Sequence, residues 1–321
     1  MPRISTALTW ADRLGSWKAR WGIGRMGYLV PPGLYAIGSP SHDSPVLVTA
    51  NYKMSYDIVR RALGGRSCWL LVLETYGINV WCAAGKGTFG TEELIRRIKV
   101  SELDTVVSHR RLILPILGAP GVAAHEVTKQ TGFSIRFAAL RAGDLPEYLD
   151  NGMVTTPAMQ ELTFTTWERM VLIPVELVEA IKPTVIVAAL VFAILTALQG
   201  YTIGLKAVYA YLGAVLAGTA ITPILLPWLP SRSFAFKGVL VGLGWGMIFY
   251  FLDGGNEWRT SMIIATFMTL PAISAFYALN FTGCTPFTSR SGVKKEMRIA
   301  LPAMAGALLA GALVAIMGII G

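Results

Sequence analysis

The chain has 321 residues, of which 54% are hydrophobic and 15% charged, with a formal net charge of +9. That length admits two domains, and the charge forms no dense basic stripe of the kind a nucleic-acid binder carries. Cys68, Cys82 and Cys284 are too few and too scattered for a disulfide framework, an iron-sulfur cluster or a four-cysteine zinc site of the chain's own, and they suit a reducing compartment.

The chain start lacks the basic-then-apolar pattern of a secretory signal. Instead Trp10, Leu14, Trp17 and Trp21 recur at helical spacing, with Arg13, Lys18 and Arg20 mainly on the other side. Two readings of this N-terminal amphipathic extension (1–44) stand: an interfacial helix on a membrane or partner, or a helix packed on the next domain. Gly15, Gly22 and Gly24 count against both.

Residues 45–165 alternate short apolar runs with amphipathic segments, the pattern of an α/β domain. Strands are predicted at 45–50, 68–74, 104–109, 112–117 and 133–140. Helices are predicted at 55–63 with Ser55 as N-cap, at 91–99 with Thr91 as N-cap, at 121–130 and at 145–149. The expected fold is a doubly wound, Rossmann-like sheet, whose ligands bind beyond the carboxyl ends of its strands, here 49–52, 74–80, 117–121 and 140–143.

A connecting helix over 166–182, broken near Pro174, leads to a domain at 183–321 in which Asp and Glu number only 3 against 8 Lys and Arg. Five apolar stretches, at about 183–200, 206–229, 236–252, 260–281 and 299–320, are each near the ~20 residues that cross a bilayer. Arg232, Lys237, Arg290, Lys294, Lys295 and Arg298 gather in the second and fourth loops, against Lys206 and Arg259 in the first and third. This bias predicts an inner-membrane protein with a cytoplasmic N-terminal domain and its C-terminus outside. Asp253, Glu257 and Glu296 fall at loop edges, which favours anchoring over transport. The polar segment 280–297 is read as a docking surface for the soluble domain or a partner.

The chemistry concentrates in NVWCAAGK, residues 79–86. A phosphate loop is excluded, because valine stands where its first glycine belongs and Gly87 where its magnesium-binding hydroxyl belongs. A reactive cysteine fits better. Asn79 is expected to cap a short helix through Val80, Trp81, Cys82 and Ala83, which places Cys82 among free N–H groups at the positive helix end, where negative charge is stabilised. Such a sulfur is a nucleophile or a metal ligand, and no motif ties His42, His109 or His125 to it as a base. Ala83, Ala84, Gly85 and Gly87 are expected to give a flat helix face for a broad planar ligand.

NVWCAAGK resembles the signature of the mercury-methylating corrinoid proteins, the HgcA family, and the resemblance extends to VTANYKMSYD (48–57), the five spans and the NFTG segment. The soluble domain is similar to the corrinoid-binding part of the large subunit of corrinoid iron-sulfur proteins. The resemblance implies that Cys82 is the catalytic residue and the lower axial ligand of cobalt, on a cap helix below the corrin ring. A soft, strongly donating thiolate there favours release of methyl with its bonding electrons to Hg(II), giving methylmercury. It further implies a ferredoxin-like partner with two [4Fe-4S] clusters (HgcB type), as electron donor and source of Hg(II), and a methyl supply from methyltetrahydrofolate. Thr49, Asn51 and Ser55 are expected to hold the corrinoid's side chains and nucleotide tail, Val80 and Trp81 to pack beside the ring, and Ala142 with Gly143 to leave room near it. Ala83, Ala84, Gly85 and Lys86 complete the expected contact set. The alternatives are a membrane-anchored methyl carrier for another one-carbon acceptor, and a membrane corrinoid transporter or sensor.

Overall fold

The computed structural model describes residues 1–285 and 288–320, and divides into two compact units, Met1–Thr163 and Phe164–Gly321. Pro286 and Phe287, inside the proposed docking segment 280–297, lie outside the described residues.

Among the described residues the first unit builds a six-stranded sheet from β1 (Arg3–Ile4), β2 (Gly33–Ile37), β3 (Val46–Ala50), β4 (Cys68–Leu73), β5 (Arg111–Leu114) and β6 (Ser134–Phe137), in the order β1-β2-β4-β3-β5-β6. Strands β4, β3, β5 and β6 run parallel, whereas β2 pairs antiparallel with β4 from Gly33↔Val72 to Ile37↔Cys68. The sheet is therefore mixed. Residues 1–44, expected as an extension, contribute two of its strands.

Helices cover both faces, so the central strands β3 and β4 are apolar but for Thr49, and all five residues of β3 are buried. Val46, Val48, Ala50, Leu71 and Leu73 face one layer with Phe89, Leu94, Ile98 and Val127. Leu47, Leu70, Val72 and Ile113 face the other with Tyr56, Leu63, Leu145 and Tyr148. The first layer holds α3 (Val80–Lys86), α4 (Thr91–Val100), α5 (Leu103–Val106) and α6 (Ala124–Thr131); the second holds α2 (Lys53–Ala62) and α7 (Leu145–Asp150). Preceding them, α1 (Trp10–Arg20) starts with a capping box formed by Thr9 and Asp12. A short helix, α8 (Pro157–Gln160), closes the first unit.

Several boundaries differ from the sequence reading. The predicted strand 104–109 is instead the short helix α5 followed by a turn, its Leu103 fully buried as a core plug. Helix α2 starts two residues before Ser55, with Tyr52 as N-cap, so Ser55 sits in its first turn. Gly90, not Thr91, caps α4, and the Thr91 hydroxyl accepts the Ala123 N–H at 2.8 Å. After β5 the chain enters a 3-10 turn, Ile116–Gly121, where a strand was predicted to continue.

In the second unit α9 (Thr166–Met170) leads into α10 (Ile173–Gln199), with the break just before Pro174, which occupies the first turn of the new helix. Beyond it lie α11 (Tyr201–Leu216), a π-helical turn (Ala217–Ile221), α12 (Thr222–Leu225), α13 (Phe234–Leu252), α14 (Thr260–Asn280) and α15 (Arg290–Ile320). Five helical stretches among the described residues are long and apolar enough to cross a membrane. Small residues let them close up: a Cβ on Gly242 would lie 2.7 Å from the Pro271 Cα, and one on Gly238 would lie 2.6 Å from the Ala275 Cα. Polar ties sit at alternate ends, with Lys206 to Asp253 at 2.8 Å at one and Ser233 to Glu296 at 2.7 Å at the other.

Candidate functional site

The carboxyl ends of β3 and β4 stand side by side, and the loop after β4 is tied to the residue that ends β3. Asn51, just past β3 and 1% exposed, ties the loop through both ends of its side-chain amide. Its Oδ1 accepts the Thr75 N–H at 3.1 Å, the Thr75 hydroxyl at 2.9 Å and the Gly77 N–H at 3.3 Å, while Nδ2 donates to Glu74 at 2.6 Å. The Thr75 hydroxyl, which also lies 2.8 Å from the Ile78 carbonyl, extends this bracket along the loop. Glu93 of α4 holds the loop from the other side, accepting the Glu74 N–H at 2.8 Å and the Arg97 guanidinium at 2.8 Å. Burial pushes the Glu93 carboxyl up, but the Glu74 N–H and the Arg97 and Arg96 guanidinium groups outweigh it and leave it below the ordinary carboxylate range.

Out of this braced loop comes α3. Asn79 caps it as the sequence reading expects, its Oδ1 accepting the Cys82 N–H at 2.9 Å, and Gly87 ends it in a left-handed conformation, φ 83°. The helix is seven residues long and half sunk. Ala83 and Ala84 are buried, at 0% and 5% exposure, so these two form no outward face. Their smallness serves docking onto the 116–121 turn: a Cβ on Gly121 would lie 2.2 Å from the Phe89 carbonyl oxygen and 3.0 Å from the Ala84 Cα, and one on Gly118 would lie 2.5 Å from the Phe89 ring. Trp81, Cys82, Gly85 and Lys86 are the exposed residues of α3, and the space beside Gly85 and Gly87 is open. Cys82 is a free, exposed thiol standing among them, whereas Cys68 is buried at the start of β4, where desolvation pushes its thiol up to about 12.

The remaining expected residues separate. Thr49 is fully buried, its hydroxyl oxygen has no hydrogen-bond partner, and by strand alternation it faces the layer of α2 and α7. Ser55 in α2 and Ala142, in a 3-10 turn (Ala142–Asp144) after β6, belong to that layer too. Val80 packs against the core of the α3 layer. A ligand touching both groups has to lie across the carboxyl edge of the sheet. Asn51 spends its Oδ1 and an Nδ2 hydrogen on positioning the loop under α3.

His42 and His109 precede β3 and β5 at the amino edge, bonded to the Val106 carbonyl at 2.7 Å and the Ser44 carbonyl at 2.9 Å, so neither serves Cys82. Among the described residues no group of three His, Cys, Asp or Glu is placed to hold a metal ion, which leaves Cys82 as a single soft donor. Sequence reasoning missed Thr75, Glu74 and Glu93, and it missed Tyr76, exposed at the loop crest with φ 53°, a conformation strained for an aromatic residue. The readable signal was Gly77 one residue on and the Glu-Thr pair just past the strand; the Glu93 tie arises only in three dimensions.

Much of this α/β unit is similar to known proteins. Residues 25–143 match the family described as CO dehydrogenase/acetyl-CoA synthase delta subunit (CdhD). The chain is 35% identical over 123 residues to the acetyl-CoA decarbonylase/synthase complex subunit gamma of Methanopyrus kandleri, and 33% identical over 123 residues to that of Archaeoglobus fulgidus. It is 31% identical over 124 residues to that of Methanocaldococcus jannaschii. In each pair the match covers 38% of this chain and 25% to 26% of the relative, so the chain spans about a quarter of the length of the curated relatives it matches.

Proposed function

We propose that the first unit binds a corrinoid across the carboxyl edge of its sheet, with Cys82 as the lower ligand of cobalt, and that the whole chain is a membrane-anchored corrinoid methyltransferase acting on Hg(II). The observation that carries the reading is Cys82 itself: an unpaired sulfur raised on the exposed side of a capped helix, over open space, in a unit similar to proteins of acetyl-CoA synthase complexes.

The residues fit such a group. A flat macrocycle needs a face free of projecting side chains, and Gly85 and Gly87 supply it beside Cys82. The soft sulfur suits a soft metal, and Thr49 offers a buried hydroxyl without a partner at the edge where the group's polar periphery would lie. When bound, the corrinoid supplies a cobalt-held methyl group that a thiolate ligand makes more carbanion-like. The chain's own part is to hold the sulfur at fixed height: the Asn51 bracket fixes the loop, Asn79 fixes the first turn, and Gly118 and Gly121 let α3 seat. Trp81 and Lys86 stand at the helix surface to pack beside the ring and meet its polar substituents.

Delivery of methyl as a carbanion equivalent would consume two electrons each turn, and three scattered cysteines cannot hold a cluster to supply them. We therefore infer an iron-sulfur partner with two [4Fe-4S] clusters, which also delivers the mercuric ion, and a methyl source at the methyltetrahydrofolate level. A second reading, transfer to another one-carbon acceptor, is favoured by the identity of the relatives as acetyl-CoA decarbonylase/synthase subunits. The test is the visible spectrum of the full chain loaded with cobalamin, for wild type and Cys82→Ala, followed by single-turnover methylation of Hg(II) with a low-potential reductant. A changed spectrum and lost methylation in the variant are expected; an unchanged spectrum with full methylation would refute the ligand role. Methylation of another acceptor but not of Hg(II) would select the second reading.

A further inference from the structure

Helix α1 has two chemically different sides. One is bolted down: Asp12 takes the Lys53 ammonium at 2.6 Å and the Arg60 guanidinium at 2.8 Å, and Lys53 also reaches Asp57 at 2.7 Å. The Tyr28 hydroxyl donates to the Asp12 carbonyl at 3.0 Å, Ala19 is 1% exposed, and a Cβ on Gly15 would lie 2.6 Å from the Tyr28 hydroxyl. These contacts resolve the two sequence readings of the helix in favour of packing for this side only.

The other side carries Trp10, Leu14, Trp17 and Trp21, which at roughly 100° per residue fall in one stripe. They are 77%, 40%, 66% and 39% exposed, and Ile23 and Met26, just beyond the helix, are exposed as well. A helix already fixed by its opposite side gains nothing in water from three outward indoles, so the stripe calls for a partner.

We propose that this stripe is an interfacial anchor: α1 lies in the headgroup region of an anionic bilayer, indoles at the boundary of the acyl chains, with Arg13 and Lys18, exposed on opposite flanks of the stripe, against lipid phosphates. Three observations select a lipid surface as the occupant. The stripe is dominated by tryptophan, the side chain that partitions to membrane interfaces. Its flanks are basic, in a chain of net charge +9, and complement anionic headgroups. The same chain also carries five helical stretches long and apolar enough to cross a bilayer, so α1 is never far from one. An 11-residue helix binds lipid weakly by itself, but tethering raises its effective concentration, and the stripe then sets the orientation of the α/β unit.

The experiment uses the full chain labelled with 5-fluorotryptophan in nanodiscs of phosphatidylcholine and phosphatidylglycerol containing a headgroup-nitroxide lipid, with resonances assigned by single Trp→Phe variants. The Trp10, Trp17 and Trp21 signals are expected to lose most of their height while Trp69, in the same unit, keeps its own. Arg13→Glu with Lys18→Glu should restore those signals several-fold and leave the Trp69 shift unmoved. Three signals as sharp as that of Trp69 would overturn the proposal. So would signals indifferent to lipid that move only when an iron-sulfur protein is added, which would make the stripe a protein-docking surface.

Discussion

Asn51 carries more of the site than its place in the sequence announces. Replacing it with alanine strips the Asn51 acceptor from the Thr75 and Gly77 N–H groups, both in the buried bracket, while the Thr75 hydroxyl keeps the Ile78 carbonyl. With about 1–3 kcal/mol for each buried group left unmade, Asn51→Ala should cost at least about 2 kcal/mol in denaturant unfolding. Asn79→Ala removes a single cap and should cost about 1 kcal/mol. The two should also differ in kind, since only Asn51→Ala releases the loop under α3. Thiol labelling reads the other residue contrast: Cys82 should alkylate in the native protein and Cys68 only on unfolding, because one is exposed and the other buried. The Cys68 thiol, raised to about 12 by burial, keeps its proton in the fold to higher pH than in the unfolded chain. Its contribution is therefore full below the unfolded pKa and is lost as pH rises towards 12. The legible part of the site was local: a capping asparagine and a cysteine one turn in. The occupation of Asn51 was not, because its partners lie more than twenty residues away.

The elements were readable where pattern and environment agree. Val46–Ala50 and Cys68–Leu73 are near-continuous apolar runs, as strands buried on both faces have to be, whereas β2 is an antiparallel strand following Pro31 and Pro32, in the stretch expected as an extension. The run at 104–109 has strand composition, but tertiary packing makes its first part a single helical turn that buries Leu103. Two element-scale outcomes come from close approach. Gly121→Ala should loosen the seat of α3 and cost about 1–3 kcal/mol, measured by unfolding, with a matching rise in Cys82 labelling. The fixing of α1 should depend on pH. Burial raises the Asp12 carboxyl, but hydrogen bonds from Lys53, Thr9 and Arg60 outweigh it and hold it well below the ordinary range. A depressed folded-state value means the stabilisation is complete above the unfolded value near ~4 and is lost as pH falls below it. Acid titration of α1 amide exchange should therefore show release of the helix below about pH 4 in the wild type, and Asp12→Asn should be loose already at neutral pH.

At the scale of the whole molecule the question is what each unit needs from the other to fold. Every strand of the sheet, both apolar layers and the whole bracket beneath α3 come from Met1–Thr163. The parallel strands that a sheet leaves exposed at its faces are here covered by helices from the same stretch, so no large apolar face of the sheet waits for the second unit. The second unit likewise closes on small-residue contacts among its own helices, such as Gly242 against Pro271. This division predicts that Met1–Thr163 expressed alone unfolds in one cooperative transition and takes up cobalamin with the same Cys82-dependent spectrum as the full chain. A fragment that is folded yet blind to cobalamin would place part of the binding surface beyond Thr163, and a fragment without a cooperative transition would show that the sheet depends on the helices after it. If the fragment binds as the full chain does, the apolar helices act on location and partner access and not on cofactor capture. Gly242→Leu would then impair assembly of the second unit in detergent while leaving the corrinoid spectrum unchanged.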